Sequence, residues 1–469
     1  MNSERADLVI VGAGAAGTHV LAALAQRKRL DLRSIAVVEA GDDPGPGLAY
    51  GDGAHPLHTF GRVPTRRRER GDELRVQLAR SLHTLRERGI AVALHERCPA
   101  RALHRDGDGD GDGWVLDTRR APIAAGACVL AVGHWHVHAL AHLRRAVDWR
   151  WDIRRLAAIT DDEDALVLGA SQSAIDLAIA LAHRGSYRGT ITLASRTGLL
   201  PRVWGYVGDA SMPRHLDRLR SAAATNVRLE DILTAVRADL DDAGGSWSDF
   251  HTPGDGLAVL RADVAAARAS KAARREIPWQ AVLFPTVPAV FDLFPRLPAE
   301  DRLAIAPHTY AALRHLEAIH IANAQRILDL ADAGRLRCVA LGPAPPAPHE
   351  DAHHVHLGAD LRAHRILDAR GHDPHIAHAS DAPFLHQLLA DGHVVPARIP
   401  YATRPDDNHH LDTGGIWLDP TTFTTLGGSG VPTPNLHALG PLAIGQLPVY
   451  LGLWALRRQA AAIARAFRT

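Results

Sequence analysis

Two segments of the chain share one arrangement of hydrophobic and polar positions. In each, an unbroken apolar run leads into a glycine-rich turn and then into an alanine- and leucine-rich stretch with helical spacing. The segments are Asp7–Ala25, DLVIVGAGAAGTHVLAALA, and Asp164–Ala182, DALVLGASQSAIDLAIALA. An apolar run without polar alternation is typical of a buried parallel strand. The pattern therefore predicts an α/β protein with two Rossmann-like dinucleotide-binding domains.

The first turn combines G-x-G-x-x-G spacing with an acidic residue at the end of the next apolar run. Glycine allows a tight turn, lets the backbone approach a pyrophosphate, and lets the helix pack closely on the strand. The helix start offers free N–H groups to phosphates, and the acid can bind a ribose hydroxyl. The residues expected to bind this dinucleotide, predicted to be FAD, are Gly12, Gly14, Ala15, Ala16, Gly17, Glu39 and Ala40.

The second turn differs at two informative positions. Ser171 replaces the middle glycine, so the backbone approaches phosphate less closely, but its hydroxyl can donate a hydrogen bond. The following strand ends in Arg196 instead of an acid, and a guanidinium can bind a 2′-phosphate with paired N–H groups. We therefore predict an NADPH site at Gly169, Ser171, Gln172, Ser173 and Arg196. The alternative is a repeat of the fold that has lost its ligand.

Composition excludes several classes of protein. Among 469 residues, 53 Lys and Arg nearly balance 52 Asp and Glu, which argues against a dedicated nucleic-acid or membrane-surface binder. The three cysteines, Cys98, Cys128 and Cys338, are far apart. This spacing argues against a disulfide framework. The chain also lacks the closely spaced pair of cysteines that flavin-dependent disulfide reductases carry beside the flavin. The charged start MNSERADL and the lack of a long apolar run lead us to expect a soluble cytoplasmic protein.

Several further segments resemble one group of flavoproteins along almost the whole chain. They are GPGLAYGDGAHPLHTFGRVP, VLAVGHWH, TLASRTGLLP, LPAEDRLAIAPHTYAALRH and NLHALGPLAIGQLPVYLGLWALRRQAAAIA. They are similar to an FAD/NAD(P)-binding family that is related to flavin-dependent monooxygenases and includes amino-acid N-oxygenating enzymes. The resemblance implies bound FAD, reduction by NAD(P)H, and hydroxylation with O2. It also places Gly133, Gly440 and Gly445 near the flavin, with the helix predicted over Val449–Phe467 directed at it.

The same motifs suggest how the chain is divided. We predict an FAD domain from residues 1–155 and 362–469, with RILDARGH, Arg365–His372, as its returning strand and turn. The NAD(P)H domain is expected at 156–361. Helical spacing of apolar residues predicts a helical subdomain at 208–335.

Candidate catalytic and substrate-binding residues are few. His58 is either a packed histidine or a proton shuttle beside the flavin. The basic run Arg62–Arg75 is either a solvated surface or a source of substrate contacts from Arg66, Arg67 or Arg68. The aspartate-rich segment 106–117 is expected to be a hairpin tip and not a calcium loop, and the histidine clusters HWHVH and HEDAHHVH lack a complete ligand set, so no metal is predicted.

These observations favour an FAD-dependent, NADPH-using monooxygenase that acts on a small polar metabolite or amino acid, with N-hydroxylation as one form of the reaction. Its partners are expected to be that substrate and O2, and it can form a homo-oligomer. Two alternatives remain open. One is a flavin-dependent oxidase, dehydrogenase or cyclase without external NADPH, and the other is a flavin-binding protein without catalysis.

Overall fold

The structure is a computed structural model that describes residues 4–107, 113–208, 213–222, 227–251, 254–400, 410–446 and 452–467. Its strands, in chain order, are β1 (Glu4–Val11), β2 (Ser34–Val38), β3 (Thr59–Phe60), β4 (Thr65–Arg66), β5 (Ala91–His95), β6 (Ala100–Arg105), β7 (Trp114–Thr118), β8 (Ile123–Leu130), β9 (Ala165–Leu168), β10 (Ile191–Ser195), β11 (Leu336–Ala340), β12 (Pro348–Glu350), β13 (Val355–Leu357), β14 (Leu361–Ala363), β15 (Arg365–Asp368), β16 (Pro396–Pro400), β17 (His410–Ile416), β18 (Thr424–Leu426) and β19 (Pro432–Ala438).

The helices, again in chain order, are α1 (Ala15–Ala25), α2 (Gly47–Tyr50), α3 (Arg67–Glu87), α4 (Gln172–Ala182), α5 (Arg214–Ala222), α6 (Leu229–Asp242), α7 (Gly256–Ala273), α8 (Pro278–Leu293), α9 (Ala299–Ile305), α10 (Thr309–Leu316), α11 (Ile321–Asp332), α12 (Pro383–Ala390) and α13 (Gly452–Ala466). Within the described ranges no single helix has the length and apolar composition of a membrane span. Only α7 together with α8 and the turn after it meets that criterion, across a bend of 89°.

The chain forms two compact units. The first contains residues 1–51, 69–137 and 372–469, and the second contains residues 52–68 and 138–371. The predicted FAD domain is interrupted after residue 155 and resumes at residue 362, whereas the first unit is interrupted after residue 137 and resumes at residue 372. The segment 52–68, which we placed in the FAD domain, lies in the second unit.

The first unit is built on a parallel sheet with the order β19-β8-β1-β2-β5. The strands are unbroken apolar runs because both sheet faces are covered; Leu8, Val9 and Ile10 are fully buried. The first half of β8 pairs with β7, whereas its second half pairs with β19. Helix α13 packs against α1 in the same core.

The second unit is built on a smaller parallel sheet with the order β11-β10-β9-β15. This arrangement corrects one expectation, because β15 is not the returning strand of the first sheet. Ile366 and Leu367 on β15 instead pair with Leu166 and Val167 on β9, and both are fully buried there. The apolar run was recognised correctly, but a short buried strand carries no local signal of the sheet that it joins.

Helices α5 to α11 lie between β10 and β11, where a helical insertion was predicted. Trp204, Trp279 and Phe294 centre a separate apolar core formed mainly by α5, α6 and α8. Arg202 is buried beside that core. Its Nε donates to Asp263 on α7 over 2.8 Å, and its guanidinium lies 4.9 Å from the ring centroid of Trp279.

We expect Asp263→Ala to destabilise the second unit by about 3 kcal/mol, because the Arg202 charge would stay buried without its carboxylate partner. The measurement is chemical unfolding followed by fluorescence. The matched control is Asp332→Ala, which removes the ion-pair partner of Arg261 on the same helix α7, where both side chains are about half exposed. Equal destabilisation by the two substitutions would contradict the buried-pair argument.

Candidate dinucleotide-binding sites

The first glycine-rich turn is shaped by close backbone contacts. Gly12 follows β1 with a φ of +104°, and a Cβ at this position would collide with the carbonyl oxygen of Ala131 after β8. A Cβ on Gly17 would collide with the carbonyl oxygen of Gly12 itself. These two glycines are therefore required for packing of the turn onto the strands.

Gly14 has a different surrounding. It precedes α1 in extended conformation, and a Cβ added there would lie 3.2 Å from the Cα of Gly47. The loop containing Gly47 is held across the turn because the N–H of Gly45 donates to the carbonyl of Ala13 over 2.7 Å. Ala15 and Ala16 form the first turn of α1, with Ala16 buried. A helix start of this kind offers free backbone N–H groups to which a pyrophosphate can bind.

Glu39 lies at the position expected for a ribose-binding acid. It follows β2, and its two carboxylate oxygens accept N–H groups of Ala13 over 2.7 Å and of Gly41 over 2.8 Å. These bonds join the carboxylate to the glycine-rich turn. Each carboxylate oxygen can accept a second hydrogen bond, so the arrangement fits a ribose hydroxyl. The neighbouring Ala40 is exposed.

The other predicted flavin-side residues have varied surroundings. Gly133 follows β8, and a Cβ on it would meet nothing within 4 Å. Gly440 has a φ of +76°, and its N–H donates to Gln459 on α13 over 2.8 Å; a Cβ there would lie 3.9 Å from that of Ala16. A Cβ on Gly445 would collide with the carbonyl oxygen of Gly414 on β17, so strand packing explains this glycine. Residues 449–451 of the predicted final helix lie outside the described residues.

The second turn repeats the geometry of the first. Gly169 follows β9 with a φ of +123°, and its Cβ would collide with the carbonyl oxygen of Ala369 after β15. Ser171 precedes α4 in extended conformation and is exposed, and no capping bond from its hydroxyl is found in the described part of the chain. Ser173 is partly exposed in the first turn of α4, and Arg196 is exposed directly after β10. The structure thus places these residues at the carboxyl edges of neighbouring parallel strands.

Gln172 belongs to a polar network that sequence reasoning missed. Its Oε1 accepts from Arg67 over 3.4 Å, and its Nε2 donates to the carbonyl of Glu317 over 3.0 Å. The same Arg67 donates through Nε to Asp176 on α4 over 3.1 Å. Residues far apart in sequence therefore anchor the start of α4. The apolar surroundings of Asp176 in the sequence gave no sign of this contact.

His58 belongs to the same network. Its Nε2 lies 2.8 Å from the carbonyl oxygen of Asp176, and its Nδ1 lies 3.3 Å from the backbone N–H of His55. A carbonyl only accepts, so the proton belongs on Nε2 and Nδ1 is the acceptor. Burial lowers the pKa of His58, against an opposing effect of Asp176. Both ring nitrogens are occupied, which favours a packed histidine over a proton shuttle.

Glu317 contributes an unusual carboxyl group next to this network. It follows α10, and burial raises the pKa of Glu317 to about 7, with a smaller opposing effect of Arg67. A carboxyl group with this pKa changes charge near neutral pH. Of the two arginines predicted to contact substrate, Arg67 is engaged with Asp176 and Gln172, whereas Arg66 is exposed on β4.

The aspartate-rich tip lies partly at 108–112, outside the described residues. The adjoining strands β6 and β7 pair antiparallel, as expected for a hairpin. Among the described residues of the second unit, one potential metal-ligand group is His215, Asp239 and Asp242. Both carboxylate oxygens of Asp239 already accept backbone N–H groups at the start of α5, over 2.8 and 3.0 Å. This role explains Asp239 without a metal.

The fold and the two strand edges together define a two-domain dinucleotide-binding architecture. A family described as FAD/NAD(P)-binding matches residues 9–65, which contain the first turn and Glu39. No curated protein matches the chain.

Solved structures of similar fold include enzymes named as amino-acid hydroxylases and an amino-acid monooxygenase. L-lysine 6-monooxygenase from Pseudomonas syringae has a TM-score of 0.54 at 17% identity, covering 98% of this chain and 99% of that one. Ornithine hydroxylase from Pseudomonas aeruginosa has a TM-score of 0.51 at 10% identity, with coverage of 99% and 98%. Ornithine N-hydroxylase from Kutzneria sp. 744, in a structure with reduced FAD, NADP+ and L-ornithine, has a TM-score of 0.50 at 14% identity, with 99% of both chains covered. The predicted fold class is confirmed.

We expect Gly12→Ala to unfold or strongly destabilise the first unit, because both its φ and the Ala131 carbonyl exclude a side chain. Gly14→Ala should fold, since its Cβ contact of 3.2 Å needs only a small shift of Gly47, yet it should retain much less FAD. Thermal melting and the flavin-to-protein absorbance ratio measure the two effects. Gly89→Ala, in the same unit and with open space around its Cβ, is the control for an unhindered glycine with positive φ. Equal behaviour of the Gly12 and Gly14 variants would contradict the assignment.

A second prediction concerns pH. The folded-state pKa of Glu317, about 7, lies above its ordinary value of 4.5, so the folded state holds this proton more tightly. Its stabilising contribution is therefore present at low pH and lost as pH rises through about 7. Glu317→Gln should flatten that part of the pH dependence of the urea unfolding midpoint. The prediction is refuted if the urea unfolding midpoint of Glu317→Gln changes with pH as steeply as that of the wild type between pH 4.5 and about 7.

Proposed function

We propose that this chain is an FAD-dependent, NADPH-using monooxygenase that hydroxylates a small polar metabolite, with an amino acid as the favoured substrate class. The observation that carries the proposal is the repeated turn. In each unit a positive-φ glycine lies against an alanine carbonyl after the neighbouring parallel strand, and the next strand is followed directly by Glu39 in one unit and by Arg196 in the other. Two such turns with opposite charges are suited to two different dinucleotides.

In the first unit, the backbone at Gly12, Gly14 and Gly17 and the carboxylate of Glu39 would hold FAD. When bound, the flavin supplies hydride acceptance from a reduced nicotinamide and activation of O2. The protein supplies binding, orientation and exclusion of water. Glu39 would fix the adenosine half because its carboxylate is already positioned by the N–H of Ala13.

In the second unit, the start of α4 would receive the pyrophosphate of NADPH, with the exposed hydroxyl of Ser171 as a further donor. Arg196 would bind the 2′-phosphate. The Arg67–Asp176–Gln172 network would keep the helix start in place. Arg67 therefore acts in positioning, whereas Arg66, which is exposed on β4, would bind an anionic group of the substrate.

The choice of an amino acid is supported by the solved structures of similar fold, which are named as two ornithine hydroxylases and an L-lysine monooxygenase. Their identity to this chain is 10–17%, so the similarity carries the fold and the proposal concerns the chemistry. Hydroxylation of an amine nitrogen is the reaction that these names favour.

The direct test uses the purified full-length chain. Mass spectrometry of the released cofactor should identify FAD, and anaerobic NADPH should bleach the long-wavelength absorbance of the bound flavin. Addition of air should then restore it. If FAD is retained but NADPH leaves the absorbance unchanged, the monooxygenase proposal fails in favour of an oxidase, a dehydrogenase or a non-catalytic flavoprotein.

We expect Arg196→Ala to weaken the apparent affinity for NADPH by roughly tenfold to a hundredfold, while the weaker use of NADH changes little. The reason is loss of charge-assisted hydrogen bonds to the 2′-phosphate, which NADH lacks. Rates of anaerobic flavin reduction at varied nicotinamide concentration measure this. Arg188→Ala is the control, because Arg188 is an exposed arginine at the opposite, amino end of the same strand β10. A parallel loss with NADPH and NADH would count against the assigned role.

A further inference from the structure

A buried aromatic cluster lies beyond the carboxyl end of β8 in the first unit. We call it the Trp135 cluster, and it consists of His134, Trp135 and His372. The ring centroid of His372 lies 4.5 Å from that of His134 and 4.3 Å from that of Trp135, in edge-to-face contacts. His372 comes from a distant part of the sequence, where the chain returns to the first unit. The fold therefore brings together two segments separated by more than half of the chain.

The two segments have the same short pattern. Ala131–His134 reads AVGH after β8, and Ala369–His372 reads ARGH after β15. The alanine carbonyl of each segment is the group that excludes a side chain at Gly12 or Gly169. Only three residues therefore separate Trp135 from Ala131, whose carbonyl contacts Gly12 and shapes the first turn.

Two residues of the cluster, Trp135 and His372, have buried polar atoms without a partner among the described residues. Trp135 is only 5% exposed, and neither its Nε1 nor either ring nitrogen of His372 has a hydrogen-bond partner within the described ranges. Burial, with a smaller effect of His134, lowers the pKa of His372 to about 2, so the ring is neutral at physiological pH. A neutral imidazole offers one donor and one acceptor, and the indole offers one donor. Buried groups of this kind are nearly always paired in folded proteins, with protein, water or ligand.

The position of the cluster in the sheet identifies which ligand can pair these atoms. In the order β8-β1-β2, the cluster follows β8 and Glu39 follows β2, on opposite sides of the glycine-rich turn after β1. A dinucleotide whose adenosine ribose is bound at Glu39 and whose pyrophosphate is bound at the turn extends its other half toward the β8 side. For FAD that half is the flavin, a flat ring with carbonyl oxygens, ring nitrogens and an N–H group.

We propose that Trp135 and His372 bind the flavin half of FAD, with their ring N–H groups donating to it and the remaining His372 nitrogen accepting from it. This inference rests on FAD binding in the proposed function and adds the residues that select a flavin over other dinucleotide halves. Both are binding residues, and neither has to transfer a proton. The sequence did not single out either residue for this role.

The experiment compares His372→Phe and Trp135→Phe with the wild type, using full-length protein from which flavin has been removed. Phenylalanine keeps a flat ring but deletes the polar atoms. His372→Phe should leave the melting temperature of the apoprotein equal or higher, because unpaired buried nitrogens are removed, while the FAD dissociation constant rises about tenfold. Trp135→Phe should raise the FAD dissociation constant and the fluorescence of the bound flavin, since an indole in contact with flavin quenches it.

The matched controls are His393→Phe and Trp114→Phe. Trp114 and His393 also form an edge-to-face pair in the first unit, with centroids 5.0 Å apart, but the indole Nε1 of Trp114 donates to the carbonyl of Pro434 over 3.2 Å. Trp114 pairs with Ala125 in the first half of β8, away from the end that carries Trp135. Both control variants should leave FAD affinity unchanged, and Trp114→Phe should lower the melting temperature.

Three results would overturn the inference. One is His372→Phe lowering the melting temperature of the apoprotein with FAD affinity unchanged, which is the behaviour of a packing residue. Another is an equal effect of the control pair on FAD affinity. The third is failure of the wild type to bind FAD, which would also refute the proposed function; the first two would leave the proposed function standing.

Discussion

A single steric contact, made once in each unit, determines the geometry of both candidate sites. In each case a glycine after the first strand of the turn lies against the carbonyl oxygen of an alanine after the adjacent strand, at Gly12–Ala131 and at Gly169–Ala369. Only glycine is compatible with both the positive φ and this approach. The contact sets where each helix begins relative to the strand ends. Glu39, Ser171 and Arg196 consequently reach the same edge as the free N–H groups.

The two units use this shared geometry differently. In the first, the loop through Gly45 and Gly47 crosses the turn, and Glu39 is bonded to Ala13. In the second, Ser171 and Arg196 are exposed at the strand edge. A covered turn with a hydrogen-bonded carboxylate suits a dinucleotide that stays bound, whereas an exposed strand edge with an arginine suits one that exchanges. The ion pair between Arg67 and Asp176 additionally fixes the position of α4.

Local sequence was sufficient for some parts of the structure and insufficient for others. The strands β1, β2, β9 and β10, the two turns and the helices α1 and α4 were all predicted, because apolar runs and glycine spacing are determined by near neighbours. The partner of β15 and the position of residues 52–68 were not, since both depend on which surface a short segment packs against. The same limit applies to Asp176, Glu317 and His372. Each contacts residues more than a hundred positions away, so the raised pKa of Glu317 and the buried nitrogens of His372 had no local signature.

The connectivity of the first unit has a consequence for biosynthesis. Strand β8 pairs along its second half with β19, and α1 packs against α13, although β8 and α1 precede these partners by more than three hundred residues. The ribosome must therefore synthesise the entire second unit before β19 can pair with β8 and complete this sheet. Until then, the apolar face of α1 and one edge of β8 are exposed on the ribosome. Contacts of such long sequence separation fold slowly and favour chaperone capture, so the second unit, whose sheet needs only residues 165–368, is expected to be the first to reach its native state during translation.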